Sequence, residues 1–168
     1  MDFKVVVDEQ SPRRVVGVFT RTTMERAGED CPDLWAQLMP AVTALAGGHT
    51  YDAYGVSTDF REDGSFVYWA ALDAPTELLL RPDWVDFLPP ARMRLDAVGK
   101  TDIPGGTYAV AVVPSLADLM AAYAFLYGEW GKDNPGYSPN MAACSFEFYP
   151  KTWREDDSFL LYVPVHRK

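Results

Sequence analysis

Leu116, Leu119, Met120, Tyr123, Leu126, Tyr127 and Trp130 recur at offsets 0, 3, 4, 7, 10, 11 and 14. That spacing predicts one apolar face of a helix. Ser115 and Asp118 before it have the form of a capping box with Asp in place of Glu. Gly131 marks the expected stop. A helix with one apolar face must bury it, and the flanking segments supply strands to bury it against. Thr107–Val113 precedes it and is β-branched and apolar. Ala142–Tyr149 and Ser158–His166 follow it, joined by a polar hairpin loop at Lys151–Asp157. Lys132–Asn140 reads as a Gly/Pro/Asn loop.

The same order occurs earlier in the chain. Arg13–Thr20 reads as a strand and Met24–Asp30 as a polar loop. Cys31, Pro32 and Asp33 then open a helix, with Pro suited to its first position. Leu34, Trp35, Leu38, Val42 and Leu45 follow at helical spacing. Pro40 is expected to kink or stop that helix, and Gly47 and Gly48 to end it. Ala53–Asp59 and Ser65–Leu72 form a hairpin over the Asp63-Gly64 turn. Strand, helix, strand, strand, twice, predicts an α+β fold. It consists of duplicated βαββ halves, a mostly antiparallel sheet, two helices and a cleft between the halves. The expected organisation is one domain over 1–168. Its first half is about 1–73, its linker about 74–104 and its second half about 105–168. The linker carries Pro75, Pro82, Pro89 and Pro90 with Trp84 and Phe87 between them. It reads as one or two helical turns and an extended run over 92–98, before a turn at Ile103–Gly106.

Composition narrows the partners. The formal net charge is −9, and the only basic cluster is His166, Arg167 and Lys168. Neutralising a nucleic-acid backbone takes a basic face, so no nucleic-acid partner is expected. Aromatic residues make up 14%, more ring surface than a small core must use. Cys31 and Cys144 have no metal or disulfide spacing, which fits a reducing cytoplasm. Cys31 sits at a helix start, where a thiolate is favoured, but no histidine partner lies nearby in sequence. His49 and His166 are too far apart in sequence to suggest a metal site. No nucleotide-binding glycine motif is present, so no cofactor is expected. The first eight residues are not a signal-peptide pattern. No apolar run reaches membrane-spanning length, so no membrane partner is expected.

One strand stands apart chemically. In Ser145–Tyr149 the alternation puts Phe146 and Phe148 on one face with Cys144, and Glu147 on the other with Ser145 and Tyr149. Composition alone favours a solvated Glu147 on an open sheet face. The competing reading is the polar anchor of an aromatic ligand pocket. The stripe ending in Tyr127 and Trp130 reads as core, with its far end at the cleft mouth. Tyr68 and Trp69 alternate, so only one faces a given side.

Several short motifs, in order, resemble one family. They are Val15-Val16-Gly17, Leu34-Trp35, Tyr54-Gly55-Val56, Tyr68, Ile103 through Ala109, Phe146 through Tyr149, and Tyr162 through Val165. Together the chain resembles the GyrI-like small-molecule-binding domains. These are the bacterial effector-binding domains of multidrug-responsive regulators, which also occur alone. The resemblance implies a pair of SHS2-like βαββ modules. It implies an aromatic cleft with a glutamate at its base, taking bulky, often cationic or aromatic compounds. Glu147, in an E-x-Y pattern with Tyr149, matches that glutamate. Tyr108 and Tyr68 match aromatic positions, and Tyr54, Trp69, Tyr127 and Trp130 complete the expected ligand-binding set. Some stand-alone members hydrolyse strained cyclopropane-bearing compounds, with the glutamate activating water. Under that reading Glu147 is the base, and Tyr108 or Tyr149 orients the substrate. A third reading is a protein-interaction module that inhibits an enzyme partner.

Overall fold

The computed structural model describes residues 2–79 and 98–168 of the chain. In order, the strands are β1 (Val5–Gln10), β2 (Arg13–Thr23), β3 (Ala53–Thr58), β4 (Ser65–Leu72), β5 (Val98–Ile103), β6 (Gly106–Val113), β7 (Tyr137–Pro139), β8 (Ser145–Tyr149) and β9 (Phe159–Arg167). Helix α1 is Ala27–Leu45. Helix α2 is Leu119–Phe125, entered through a 3-10 turn at Leu116–Asp118. It continues through a π-helical turn at Leu126–Trp130 and a last turn at Gly131–Asp133.

The sheet order is β1-β6-β9-β8-β3-β4-β2-β5, with β7 added on β9, and every pairing is antiparallel. Outward from the central β3–β8 pair, the two halves run β3-β4-β2-β5 and β8-β9-β6-β1. The duplicated α+β order is therefore present in the strand pairing itself. Each half ends with a strand borrowed from the other. Thus β1 leads directly into β2 but pairs with β6, and β5 leads directly into β6 but pairs with β2.

These exchanges bend the sheet. In a flat sheet β1 and β2 would stand roughly 29 Å apart, six strand spacings. Ser11 and Pro12 alone connect them, a link that spans about 10 Å at most. The sheet therefore curls until its two ends meet, and the two connections touch. A Cβ on Gly105 would lie 2.7 Å from Pro12 Cδ. Curling buries the inner face. Val15, Tyr54, Val56, Trp69, Tyr108, Val110 and Phe146 pack there as one cluster. The outer face carries the helices. Leu34, Leu38, Ala41 and Val42 of α1 pack on Val16, Val18 and Leu72. Ala122 and Leu126 pack on Ala109, Ala111, Leu161 and Val163.

Several boundaries differ from the sequence expectation. Helix α1 opens at Ala27, inside the expected loop. Arg26 and Thr22 both bond Asp30, and Glu29 and Asp30 occupy the acid-favouring first turn. Pro40 does not stop α1, because the buried row Leu38, Ala41 and Val42 holds the helix and Pro40 itself lies exposed. Gly131 does not end the second helix. It is buried against Pro139, where a Cβ would approach Cδ to 2.6 Å. Leu116, in the 3-10 entry, and Met120, in the first turn of α2, are exposed although both belong to the apolar stripe. The expected loop 132–140 contains β7, and β8 starts at Ser145, after a turn. The turns expected around Trp84 and Phe87 and most of the run 92–98 lie outside the described residues.

Candidate functional site

The central row of the outer face locates the site. Across the eight strands its members are Val5, Ala111, Leu161, Glu147, Gly55, Ala70, Val18 and Val98. Glu147 is the one charged side chain in that row. It sits where the two halves meet, and it is 3% exposed.

Three tyrosine hydroxyls converge on its carboxylate. Tyr68 from β4 donates to Oε1 at 3.5 Å, and Tyr149 from its own strand donates to Oε1 at 3.3 Å. Tyr123 from α2 donates to Oε2 at 3.3 Å. Trp35 from α1 donates its indole N–H to Tyr68 Oη at 3.0 Å and meets the Tyr149 ring edge-on at 5.9 Å. Tyr127 stacks parallel to Tyr123 at 6.2 Å. Each half thus contributes one strand tyrosine, with Trp35 from one helix and Tyr123 and Tyr127 from the other.

No described Lys, Arg or His pairs with Glu147. Burial therefore dominates and pushes its carboxyl up to about 7, against the hydroxyl and backbone bonds that favour the charge. The same burial, with the carboxylate nearby, raises Tyr68, Tyr123 and Tyr149 well above the ordinary phenol range. These hydroxyls stay protonated and serve as donors. Burial and Glu147 also push Cys31 up to about 12. That burial and the neighbouring carboxylate keep the thiol protonated and disfavour the helix-start thiolate considered from sequence, and Cys31 lies inside α1 and not at its tip.

The expected site residues separate by face. Glu147, Tyr149, Tyr68 and Tyr127 come together on the helix side, and Trp130 packs into the cluster around Leu126. Tyr108, Trp69 and Tyr54 lie on the inner face, with the sheet between them and Glu147. Tyr108 donates to Pro104 O at 2.6 Å, and Trp69 packs on Phe19 at 4.5 Å. Tyr54 packs on Phe148 at 5.3 Å under the Arg13 guanidinium. Arg13, Tyr54, Phe146, Phe148 and Tyr162 line a cavity of about 130 Å³ there. That is small beside the roughly 300–1,000 Å³ usual for drug-sized ligands. Alternation of side chains along β6 is what turns Tyr108 inward, and sequence order alone does not show which parity faces the helices. Sequence reasoning missed Tyr123 and Trp35 as site residues. Both sit in stripes that also pack the helices, so their periodicity signalled core.

Among the described residues no helix is long and apolar enough to cross a membrane, and no three His, Cys, Asp or Glu cluster as a metal site would require.

The fold has close structural relatives. An integron cassette protein from the mobile metagenome of Vibrio cholerae matches with a TM-score of 0.65 at 17% identity, over 98% of this chain and 97% of that one. SAV2435, solved bound to tetraphenylphosphonium, matches with a TM-score of 0.64 at 11% identity, over 99% and 94%. A hydrolase encoded by lin2189 of Listeria innocua matches with a TM-score of 0.56 at 12% identity, over 97% and 92%. At these identities the likeness concerns the fold. No curated protein is a significant sequence match. The sequence pattern of the GyrI-like small molecule binding domain spans residues 3–166. That span takes in both halves and the strand pair on which the buried glutamate sits, and the chain belongs to the GyrI-like small-molecule-binding domain family.

Proposed function

We propose that this chain takes up bulky aromatic cations in the cleft between α1 and α2, with Glu147 as the anchoring charge. The observation that carries the reading is a buried carboxylate ringed by hydroxyls and aromatic rings, with no ion pair to a described residue. An isolated buried carboxylate is costly, so it holds a proton or finds a cation. A lipophilic cation supplies the charge, and its own apolar surface suits the rings. Each good cation–ring contact contributes about 0.5–2 kcal/mol. The hydroxyls stand farther off than the roughly 2.5–2.7 Å of a tight charge-assisted bond. That spacing leaves acceptor capacity on the carboxylate. The tetraphenylphosphonium bound to SAV2435 supports the ligand class. The ligand-facing set under this reading is Glu147, Tyr68, Tyr149, Tyr123, Tyr127 and Trp35, with Trp130 at the helix end.

The test is a titration of tetraphenylphosphonium against wild type and Glu147→Gln, followed by tryptophan quenching. Binding that survives the substitution unchanged overturns the charge anchor.

A second reading has its own support. A carboxyl at about 7 is a usable general base at neutral pH. Glu147 would take a proton from water as the water oxygen bonds to the strained carbon. The ring C–C bond breaks, and its electron pair goes to the departing carbon, which takes up the proton. Tyr149 and Tyr123 would orient the substrate, because Tyr108 faces away. The Listeria innocua hydrolase supports this reading. Incubation with a cyclopropane-bearing electrophile, followed by mass, separates the two. A water-added product from wild type that Glu147→Gln does not form establishes the hydrolase. Unchanged substrate leaves the binder.

A further inference from the structure

Glu147 and Gly55 are direct partners across the β8–β3 pair, at the junction of the two halves. The duplicated strand orders make them equivalent positions. One half carries a glutamate there and the other carries no side chain at all. The space explains the difference. A Cβ placed on Gly55 would lie 2.3 Å from Tyr68 Oη and 2.9 Å from each carboxylate oxygen of Glu147. Three polar oxygens rest against the bare backbone of β3. Backbone conformation is not the reason for the glycine, since Gly55 is absent from the positive-φ residues.

We propose that Gly55 is a specificity-determining position of the cleft. Its missing side chain lets the carboxylate lie against the bare backbone of β3 with Tyr68 beside it, and a bulky ligand anchored on Glu147 under the cation-binding reading needs the room that this close approach gives. A methyl group there has to displace the Tyr68 hydroxyl first, because that contact is shortest. Displacement breaks the chain from Trp35 through Tyr68 to Glu147. The carboxylate then loses a donor and is lifted off β3, toward where a ligand anchored on it would lie. Large cations lose affinity more than small ones. Glu147 holds its proton to higher pH, because a hydrogen bond favouring its charged form is gone.

The ligand class used as a probe rests on the cation-binding reading above, so two independent readouts are required. The first is the affinity of tetraphenylphosphonium and of tetramethylammonium for wild type, Gly55→Ala, and Gly55→Ala with Tyr68→Phe. The expected result is a loss of at least tenfold for tetraphenylphosphonium in Gly55→Ala and less than threefold for tetramethylammonium. Removing the clashing oxygen in the double variant recovers part of the loss. The second readout needs no ligand. The Glu147 carboxyl, followed by its infrared C=O band during a pH titration, shifts its midpoint upward in Gly55→Ala. Wild-type-like affinity and midpoint in Gly55→Ala overturn the proposal and leave the cation-binding reading intact. If wild type binds neither cation, the cation-binding reading falls and the specificity role of Gly55 falls with it, and the infrared midpoint then reports only whether Gly55 positions the carboxylate. If Gly55→Ala does not fold and the added Tyr68→Phe does not restore folding, Gly55 is a packing residue only and the proposal is overturned.

Discussion

Trp35 donates its indole N–H to the hydroxyl of Tyr68 at 3.0 Å, joining α1 to β4 across the wall of the Glu147 cage. The bond occupies a lone pair of that hydroxyl and leaves its proton for Glu147. Four polar groups from two helices and two strands are thereby linked around one carboxylate.

Trp35→Phe keeps the ring packing and removes the donor. The expected cost is about 1–2 kcal/mol, the usual loss for one part-buried hydrogen bond. Urea unfolding measures it. No change in midpoint denies the bond a structural role.

Glu147 makes stability depend on pH in an identifiable direction. Its folded carboxyl is raised from 4.5 to about 7, so the folded protein holds a proton that the unfolded chain releases. Its contribution is intact below about 4.5, declines as pH rises and is lost above about 7. Glu147→Gln removes this dependence. The variant should match wild type near pH 4.5 and exceed it at pH 8 by up to roughly 3 kcal/mol. Denaturation of both proteins across that range provides the comparison, and a constant difference rejects the buried, unpaired carboxylate.

With Glu147 as the proposed anchor, the same protonation would govern cation uptake. Affinity for tetraphenylphosphonium should rise about tenfold per pH unit below 7 and level off above it, as the charged carboxylate becomes populated. Glu147→Gln should bind weakly with a flat profile. Calorimetry at several pH values reads both, and a flat wild-type profile removes Glu147 from the binding step.

Gly131 and Gly128 make a paired test of the second helix. A methyl on Gly131 would meet Pro139 Cδ at 2.6 Å and Leu126 O at 3.1 Å, whereas one on Gly128 would meet nothing within 4 Å. Gly131→Ala should destabilise by about 1–3 kcal/mol through overpacking. Gly128→Ala should stabilise by roughly 0.4–1 kcal/mol by restricting the unfolded chain. Thermal unfolding of both variants compares them, and equal shifts discard the contact of Gly131 with β7.

Much of this architecture was legible in the sequence. The stripe from Leu116 to Trp130 and the Asp63-Gly64 hairpin identify elements through local periodicity and turn chemistry, which depend on neighbours in the chain. The alternation of Ser145–Tyr149 correctly separated Glu147 from Phe146 and Phe148. Helix ends were harder. Pro40 and Gly131 are local stop signals, yet packing of Leu38 and Val42 on one helix, and of Gly131 against Pro139 on the other, outweighs them. Strands β1 and β5 were obscured because each pairs with the half that it does not belong to in sequence.

By itself the sequence determined the duplicated strand–helix–strand–strand order, and it singled out Glu147 beside Tyr149. The order follows from periodicities of two and 3.6 residues that hold wherever the segment is placed, whereas the choice of Glu147 rests on its resemblance to the family's glutamate, since alternation only assigns it a face. Tertiary structure alone decided that Glu147 is buried, that Tyr68, Tyr123 and Trp35 surround it, and that Tyr108 lies behind the sheet. Those facts depend on which parity of each strand faces the helices and on how the exchanged edge strands curl the sheet. Both are long-range pairings, and no run of adjacent residues encodes them. Glu147, which composition would leave in water, becomes the one charged side chain in the central outer row, opposite a glycine where a side chain would not fit.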